Sequence, residues 1–269
     1  MSSARGQANH ALYLANILLA AWRRDLAEEA IALNIDVLLG PSVNMKRSPL
    51  CGRNFEYFSE DPYLASQLVI AYVQGVQSEG VAADVKHFAA NNQETNRDFV
   101  DVQIDERTLR EIYLPGFKAA VTEAKAHSVM GAYNKFRGEY LCENGYMLNE
   151  VLRDEWGFEG IVISDWAAVH TSVHSLKSGL DVEMGTPKPF DDFFLADPLL
   201  DSVKAGKISE TEIDKHVKRI LRLLYTVKSM GGETRAKGSL GTEAHFKDAY
   251  DIAAESVVLL KNTEGLLPL

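Results

Sequence analysis

Apolar residues along the chain recur with two spacings, one typical of amphipathic helices and one typical of short buried strands. Between residues 11 and 33 they recur every three or four positions with charges between them, which predicts a helix. The apolar run that follows, at 36–39, is short and closed by Gly40 and Pro41, which predicts a buried strand. The alternation continues, predicting helices at 64–78, 105–124, 148–156, 173–178, 198–205, 209–230 and 243–254, and strands at 82–88, 128–133, 160–164, 180–184 and 256–261.

Strands that alternate with helices are typical of parallel βαβ units, so the chain is expected to be an α/β protein. Both (β/α)8 barrels and open parallel sheets bind ligands at the carboxyl ends of their strands. Four glycines between residues 231 and 241 mark a flexible stretch. We therefore expect one domain over 1–230, and a linker with the beginning of a second domain over 231–269. The predicted strand ends carry Asn44, Lys86 and His87, Tyr133 and Asn134, Asp165 and Trp166, and Glu183.

Composition and charge narrow the classes of partner. The 269 residues include 38 acidic and 28 basic side chains, a formal charge of −10, which disfavours binding to a phosphate backbone. No uncharged apolar run approaches the roughly 20 residues of a membrane span, and no signal peptide is recognisable, so the cellular compartment stays open. Cys51 and Cys142 lack the spacing of a zinc site and are expected to be packed thiols. Nothing in the sequence indicates a cofactor.

Asp165 is the first candidate for chemistry because it directly follows a strand-forming Ile-Val-Ile-Ser run. In a parallel sheet this position places a carboxylate at the edge where ligands bind. The carboxylate could act there as a nucleophile, a base or a metal ligand. Capping of the next helix accounts for the same pattern equally well, because aspartate is a favoured N-cap residue.

Five further side chains lie near predicted strand ends or in polar loops. Lys86 and His87 are adjacent on a strand, where neighbours face opposite ways, so both reach one ligand only if the strand is distorted. Otherwise one is buried in a hydrogen-bond network and the other is solvated. Arg53 and Arg97 lie in polar loops, where arginines commonly form weak structural ion pairs. Tyr133 ends a strand, where it could bind a ligand or could simply be an aromatic side chain at the rim of the sheet with its hydroxyl hydrogen-bonded.

Together these side chains resemble a sugar-binding site. Sugar hydroxyls favour charged and bidentate hydrogen-bond partners, and an aromatic side chain offers a face for the sugar ring. His170 and His174 have a helical i,i+4 spacing, but no third ligand accompanies them, so a metal site is not favoured. Nucleotide binding and serine hydrolase chemistry are also disfavoured, because neither a glycine-rich phosphate loop nor a Gly-x-Ser-x-Gly motif occurs.

The motifs around these residues resemble the N-terminal barrel domain of glycoside hydrolase family 3, a family of β-glucosidases, β-xylosidases and relatives. The resemblance extends from about residue 22 to residue 269 and implies a TIM-like (β/α)8 barrel over 1–230. The final AAESVVLLKNTEGLLPL resembles the start of the family's second domain, an α/β sandwich. The other matching segments are LLGPSVNMKRSPLCGRNFEYFSEDPYL, VAADVKHFAANNQETNR, MGAYNKFRGEYLCENGYML, WGFEGIVISDW and SGLDVEMG.

The resemblance implies Asp165 as the catalytic nucleophile of a retaining, β-glucosidase-like O-glycosyl hydrolase. Such a mechanism needs a second carboxyl group about 5–5.5 Å away as general acid. In this family an unusual local backbone geometry aims the Lys-His pair at the sugar. The residues implied to bind the sugar or line its pocket are Arg53, Lys86, His87, Arg97, Met130, Tyr133 and Trp166.

The sequence departs from the family pattern in two respects. The acid/base glutamate of most β-glucosidase-type members lies in the second domain, and the histidine that some N-acetylhexosaminidase members use has no counterpart in HFAANNQETNRDFV. The first β/α element, with its sugar-binding DGP-type segment, also has no counterpart. We therefore expect a truncated barrel without its general acid. Glu56, Glu94 and Glu183 lie near the motifs, but nothing in the sequence selects one as a substitute.

The expected function is hydrolysis of small β-linked saccharides or aryl glycosides, impaired by the truncation. Aryl β-glucosides should suffer least because their leaving groups need little protonation. Two alternatives stay open: a non-catalytic or weakly active carbohydrate-binding barrel, and one half of a split enzyme that associates with a sandwich-domain partner or with itself. Whether the sugar is glucose, xylose or arabinose is not fixed by the sequence.

Overall fold

The computed structural model describes residues 24–185, 187–232, 234–257 and 259–267. Its central sheet has four parallel strands in the order β1 (Val37–Leu38), β2 (Ala82–Phe88), β4 (Ser128–Gly131) and β7 (Ile161–Ser164). Strands β2, β4 and β7 are almost entirely buried, which explains why most of their residues are apolar. The predicted α/β class with parallel strands is confirmed.

The two faces of this sheet contact different parts of the protein. Ala83, Val85 and Val129 belong to the large hydrophobic core. Ala82 and Ile163 belong to a smaller cluster on the opposite face. Side chains alternate between faces along a strand, so the large core marks the outer face and the small cluster marks the inner face.

A second, smaller sheet has three short strands, β3 (Asp101–Val102), β5 (Lys135–Phe136) and β6 (Glu139–Tyr140), in that order. Strands β5 and β6 pair antiparallel around Arg137 and Gly138, both at positive φ. The segment follows β4 directly and therefore lies at the carboxyl end of the central sheet.

The helices begin near the residues that the sequence marks as caps. Asp61 accepts hydrogen bonds from the N–H groups of Tyr63 and Leu64, and Ser209 accepts one from Glu212. The helices are residues 24–32 (α1), Pro62–Ser78 (α2), Glu106–Thr108 (α3), Pro115–Thr122 (α4), Val173–Lys177 (α5), Asp197–Lys204 (α6), Glu210–Thr226 (α7) and Glu243–Ser256 (α8). Leu109–Tyr113 and Tyr146–Glu155 form π-helical segments, and Asn54–Glu56, Leu141–Glu143, Phe190–Asp192 and Thr263–Gly265 form 3-10 turns.

Some predicted elements differ from the structure, and one lies largely outside the described residues. The helix predicted at 105–124 is divided into α3, a π-helical segment and α4, the last beginning at Pro115. The strand predicted at 180–184 is reduced to one bridge between Val182 and Ile163. The strand predicted at 256–261 is not formed in its described residues, and only residues 24–32 of the helix predicted at 11–33 lie within the described chain.

Within the described residues, the parallel ladder of four strands does not close into a barrel. None of the helices in these residues is long and apolar enough to span a membrane.

Candidate active site

Three neighbouring strands direct polar side chains to one edge of the sheet. Lys86 and His87 lie near the end of β2, Tyr133 lies two residues beyond β4, and Asp165 directly follows β7. Because these strands are parallel neighbours, their carboxyl ends meet at the same edge.

Asp165 is buried, with 5% of its surface exposed. Its backbone N–H donates to the carbonyl of Gly131 at 3.1 Å, and its Oδ1 accepts the N–H of Trp166 at 2.8 Å. The next helix, α5, begins at Val173 with Ser172 in the N-cap position. The capping alternative for Asp165 is therefore wrong.

The two carboxylate oxygens of Asp165 differ in their contacts. Oδ2 is buried and accepts no hydrogen bond from the described residues. Burial raises the pKa of this carboxyl group above its ordinary value. Four groups act in the opposite direction and favour the carboxylate, namely the N–H of Trp166, the hydroxyl of Tyr133 and the guanidinium groups of Arg53 and Arg97.

His87 lies against Asp165 and is held by one asparagine. Its Nε2 is 3.5 Å from Asp165 Oδ2. Asn44 Oδ1 accepts the backbone N–H of His87 at 2.8 Å, and Asn44 Nδ2 donates to the His87 carbonyl at 2.9 Å. Burial, with the nearby cations Arg53, Lys86 and Arg97, holds the pKa of His87 well below its ordinary value, so the imidazole is neutral.

Lys86 and His87 reach the same cluster although they are adjacent on β2. The pairing of β2 with β4 shifts in register between Val85 and Phe88, and the Lys86–His87 and Phe88–Ala89 peptide bonds are cis. The structure therefore resolves the objection that a regular strand would direct the two side chains to opposite faces.

Lys86 and Arg53 converge on a shared carboxylate, that of Glu56. Lys86 Nζ lies 3.6 Å from Glu56 Oε2, and Arg53 Nε donates to Glu56 Oε1. Ser42 Oγ also donates to Glu56 Oε2, at 2.7 Å. Burial alone would raise the pKa of Glu56, but its hydrogen bonds with Arg53 and Ser42 hold that pKa below its ordinary value. Glu56 is therefore a carboxylate that positions cations.

Arg97 lies across the face of Tyr133, with its Cζ atom 4.4 Å from the ring centroid. Its Nη1 donates to Glu94 Oε2 at 2.7 Å. Burial and the neighbouring Asp165 raise the pKa of the Tyr133 hydroxyl, which remains protonated and interacts with the Asp165 carboxylate.

Met130 and Trp166 differ in how far they are exposed. Met130 is fully buried in β4 and pairs in register with Ile163 of β7. Trp166 is 56% exposed, and its indole ring packs so close to Gly185 that a Cβ atom there would lie 3.2 Å from it. Trp166 therefore offers an accessible aromatic face beside Asp165.

The remaining candidates have other contacts. Glu183 Oε2 accepts the N–H of Leu195 at 2.8 Å, which ties that carboxylate to a loop. His170 stacks on Tyr140 with 3.6 Å between centroids, and His174 lies 3.7 Å from Glu139. No group of three or more metal-ligating side chains occurs among the described residues. Cys51 and Cys142 are both free thiols.

Asn44 is the residue of the site whose role sequence reasoning missed. Its position after a predicted strand was the only indication, because its contacts with His87 join residues 43 positions apart. A buried carboxylate among cationic and neutral hydrogen-bonding groups thus lies at the carboxyl edge of a parallel sheet, where α/β proteins bind their ligands.

Comparison with known proteins identifies the family. The model of the glycosyl hydrolase family 3 N terminal domain matches residues 14–223, and the chain belongs to this family. It is 48% identical over 260 residues to thermostable β-glucosidase B of Acetivibrio thermocellus, covering 94% of this chain and 34% of that protein. It is 45% identical over 249 residues to an exo-α-(1→6)-L-arabinopyranosidase of Bifidobacterium breve, covering 91% of this chain and 31% of that protein.

A solved structure of β-glucosidase 3B from Thermotoga neapolitana in complex with glucose is also similar. It superposes with a TM-score of 0.86 at 46% identity, covering 94% of this chain and 36% of that one. The N-terminal domains of the family are TIM-like barrels, which confirms the predicted fold class. The chain spans about a third of the length of these relatives.

Proposed function

We propose that this chain carries the nucleophile and the sugar-binding side chains of a retaining glycoside hydrolase that acts on β-glucosides. The observation that carries the proposal is the unpartnered Oδ2 of Asp165, buried beside His87 in a cluster of cations. A carboxylate oxygen that accepts no hydrogen bond retains the lone pair that attack on a sugar carbon requires.

The proposed reaction has two displacements. In the first, Asp165 Oδ2 bonds to the anomeric carbon while the bond from that carbon to the leaving oxygen breaks and an acid protonates that oxygen. In the second, water bonds to the anomeric carbon, loses its proton to the same acid/base group and releases Asp165. Two inversions give a sugar with its original anomeric configuration.

The cations around Asp165 have two roles in this proposal. Arg53 and Arg97 favour the ionised form of the carboxyl group and so oppose the effect of burial, which raises its pKa. Lys86 and neutral His87 supply hydrogen bonds to sugar hydroxyls, with Lys86 oriented by Glu56. Tyr133 borders the nucleophile and Trp166 offers a stacking face, while Met130 packs beneath them.

We assign the general acid to a carboxyl group outside these contacts. Glu56 is a poor acid because its hydrogen bonds to Arg53 and Ser42 lower its pKa, and Glu94 is paired with Arg97. Glu183 accepts a backbone hydrogen bond. Loss of a general acid typically slows a reaction by about 10²–10⁴-fold. Aryl glucosides, whose phenolate leaving groups need little protonation, are therefore the substrates with which the role of Asp165 can be tested independently of the acid.

Glucose is the proposed sugar because the relatives include proteins named β-glucosidases and a neighbour in complex with glucose. The arabinopyranosidase of Bifidobacterium breve is nearly as similar. Arabinopyranose lacks the sixth carbon of glucose, so the choice depends on contacts to that group.

The test is a burst experiment with 2,4-dinitrophenyl 2-deoxy-2-fluoro-β-glucoside, which transfers its sugar to a nucleophile and hydrolyses slowly. The proposal expects one equivalent of dinitrophenolate per chain in the burst, and none from the Asp165→Asn variant. Saturable glucose binding by calorimetry without any burst would leave a carbohydrate-binding barrel and overturn the catalytic proposal. A slow burst that a sandwich domain of a relative accelerates would support the split-enzyme alternative.

A further inference from the structure

A second buried aspartate lies on the inner face of the sheet, two residues before Lys86. Asp84 is fully buried in β2, in a strand whose other residues up to position 85 are apolar. It pairs in register with Ser128 of β4, and Ser128 Oγ donates to Asp84 Oδ1 at 2.5 Å. Asp84 Oδ2 is buried and has no hydrogen-bond partner among the described residues.

The alternation along β2 fixes the face on which Asp84 lies. Ala83 and Val85 pack in the large outer core, whereas Ala82 packs with Ile163 in the inner cluster. Asp84 therefore shares the inner face with Ala82 and lies two residues before Lys86, farther from the carboxyl end of the strand.

Two of the groups that act on Asp84 electrostatically, Lys86 and Asp165, belong to the site. Burial raises the pKa of Asp84 to about 7, the Ser128 hydrogen bond and Lys86 lower it, and the Asp165 carboxylate raises it. An aspartate without full hydrogen bonding is a costly choice for a sheet interior, where an apolar residue would pack without penalty. A role in the neighbouring site explains why a carboxyl group lies there.

We propose that Asp84 is a positioning residue for the reaction, a carboxylate behind the pocket whose negative charge attracts the Lys86 ammonium and acts on Asp165 from the inner face of the sheet. The inference rests on the proposed function, because it takes Asp165 as the nucleophile.

The charge of Asp84 favours the first displacement for two reasons. It repels the Asp165 carboxylate in the ground state, and this repulsion is relieved as Asp165 bonds to the sugar and loses its charge. It also attracts the positive charge that develops on the sugar ring in the transition state. The rate of glycosyl transfer to Asp165 therefore increases when Asp84 ionises.

The experiment measures the rate of the 2-fluoroglucoside burst between pH 5.5 and 8.5. The wild-type chain is expected to react about fivefold faster on the alkaline side, with a midpoint near neutral pH, because Asp165 loses only part of its charge in the transition state and charges in proteins interact at an effective dielectric constant of about 20. His87 is not expected to produce this rise, because burial and the nearby cations hold its pKa well below its ordinary value. Asp84→Asn, which has nearly the same shape without the charge, is expected to react at the slow acid-side rate throughout.

Ser128→Ala is the matched control, because it removes the hydrogen bond to Asp84 and keeps the charge. Since that bond lowers the pKa of Asp84, the rate increase should persist in this variant with its midpoint at higher pH. If Asp84→Asn does not fold, this displacement of the midpoint alone decides the question.

The possible results separate the two proposals. A wild-type burst with no increase across this range, or an unchanged midpoint in Ser128→Ala, overturns the role of Asp84 and leaves the proposed function intact. Equal slowing of both variants at every pH shows a purely structural role and also overturns it. Absence of any burst from the wild-type chain overturns the proposed function, and the role of Asp84 with it.

Discussion

His87 Nε2 lies 3.5 Å from the Oδ2 atom of Asp165, and no described group donates a hydrogen bond to that oxygen. The contact joins the end of β2 to the end of β7, with β4 between them in the sheet. A neutral imidazole and an unpartnered carboxylate oxygen are both groups that a ligand hydroxyl can hydrogen-bond. This arrangement is the basis of the predictions that follow.

Replacement of His87 by Asn should slow glycosyl transfer to Asp165 and leave its pH dependence near neutrality unchanged. We expect a loss of about 2- to 10-fold, because one hydrogen bond between neutral groups contributes about 0.5–1.5 kcal/mol. The pH profile should keep its shape because His87 is uncharged throughout this range. The measurement is the burst rate from pH 5.5 to 8.5. His127→Asn, at the opposite end of β4, serves as control and should react like wild type.

Replacement of Asn44 by Ala should destabilise the protein substantially. It would leave the buried N–H and carbonyl of His87 without their partners, and each unsatisfied buried group costs about 1–3 kcal/mol. Urea unfolding at pH 7 should show a loss of about 2–5 kcal/mol. Asn149→Ala, which removes an exposed hydrogen bond to the Lys177 carbonyl, should cost much less. Equal losses in the two variants would contradict the role assigned to Asn44.

Asp84 should make the free energy of unfolding decrease as pH rises. Its pKa is about 7 in the folded protein against an ordinary value of 3.8, so the folded state retains a proton that the unfolded state has lost. The free energy of unfolding therefore falls as the pH rises from the ordinary pKa of aspartate through the folded pKa, by an amount on the order of 3 kcal/mol. Denaturant titrations of wild type and Asp84→Asn at pH 4, 6 and 8 provide the measurement. The variant should gain stability relative to wild type at each step, and a constant difference would refute the expectation.

Asp181 should have the opposite pH dependence, because it is paired. His216 Nδ1 and Arg219 lie at 2.8 and 2.7 Å from its Oδ1, and Arg153 lies 2.7 Å from its Oδ2. Burial alone would raise the pKa of Asp181, but these partners hold it below its ordinary value. Its contribution is present above the unfolded pKa of about 3.9 and is lost as pH falls through the folded pKa.

Asp181→Asn should therefore lower the free energy of unfolding by about 3–5 kcal/mol at pH 7, as expected when a buried ionic network loses one partner. The deficit should shrink toward acid pH. Asp201→Asn, in an exposed pair with Lys204, is the control and should change stability by less than about 1 kcal/mol. A deficit for Asp181→Asn that does not depend on pH would count against the ionic explanation.

The sequence was sufficient for the parts of the fold that depend on local patterns. The strand at 82–88 was predicted with the boundaries that the structure has. The position of Asp165 at the sheet edge followed from the Ile-Val-Ile-Ser run before it. The division of 105–124 was not predicted, because its apolar residues recur at nearly helical spacing through the π-helical segment.

Features that depend on contacts between distant residues could not be predicted. Val182 forms one bridge to Ile163 rather than a strand, since strand formation depends on pairing along the whole segment. The common direction of Lys86 and His87 depends on backbone geometry that no residue spacing reveals. Asp84 was visible only as a charge in an apolar strand, and its relation to Lys86 and Asp165 required the assembled sheet.

The most direct test of the account is to locate the sugar on the protein. After reaction with the 2-fluoroglucoside, peptide mapping by mass spectrometry should find a single glycosylated residue, Asp165, and the Asp165→Asn variant should remain unmodified. Glycosylation of another residue, retained in that variant, or an unmodified wild-type chain after complete exposure to the reagent would contradict Asp165 as the nucleophile.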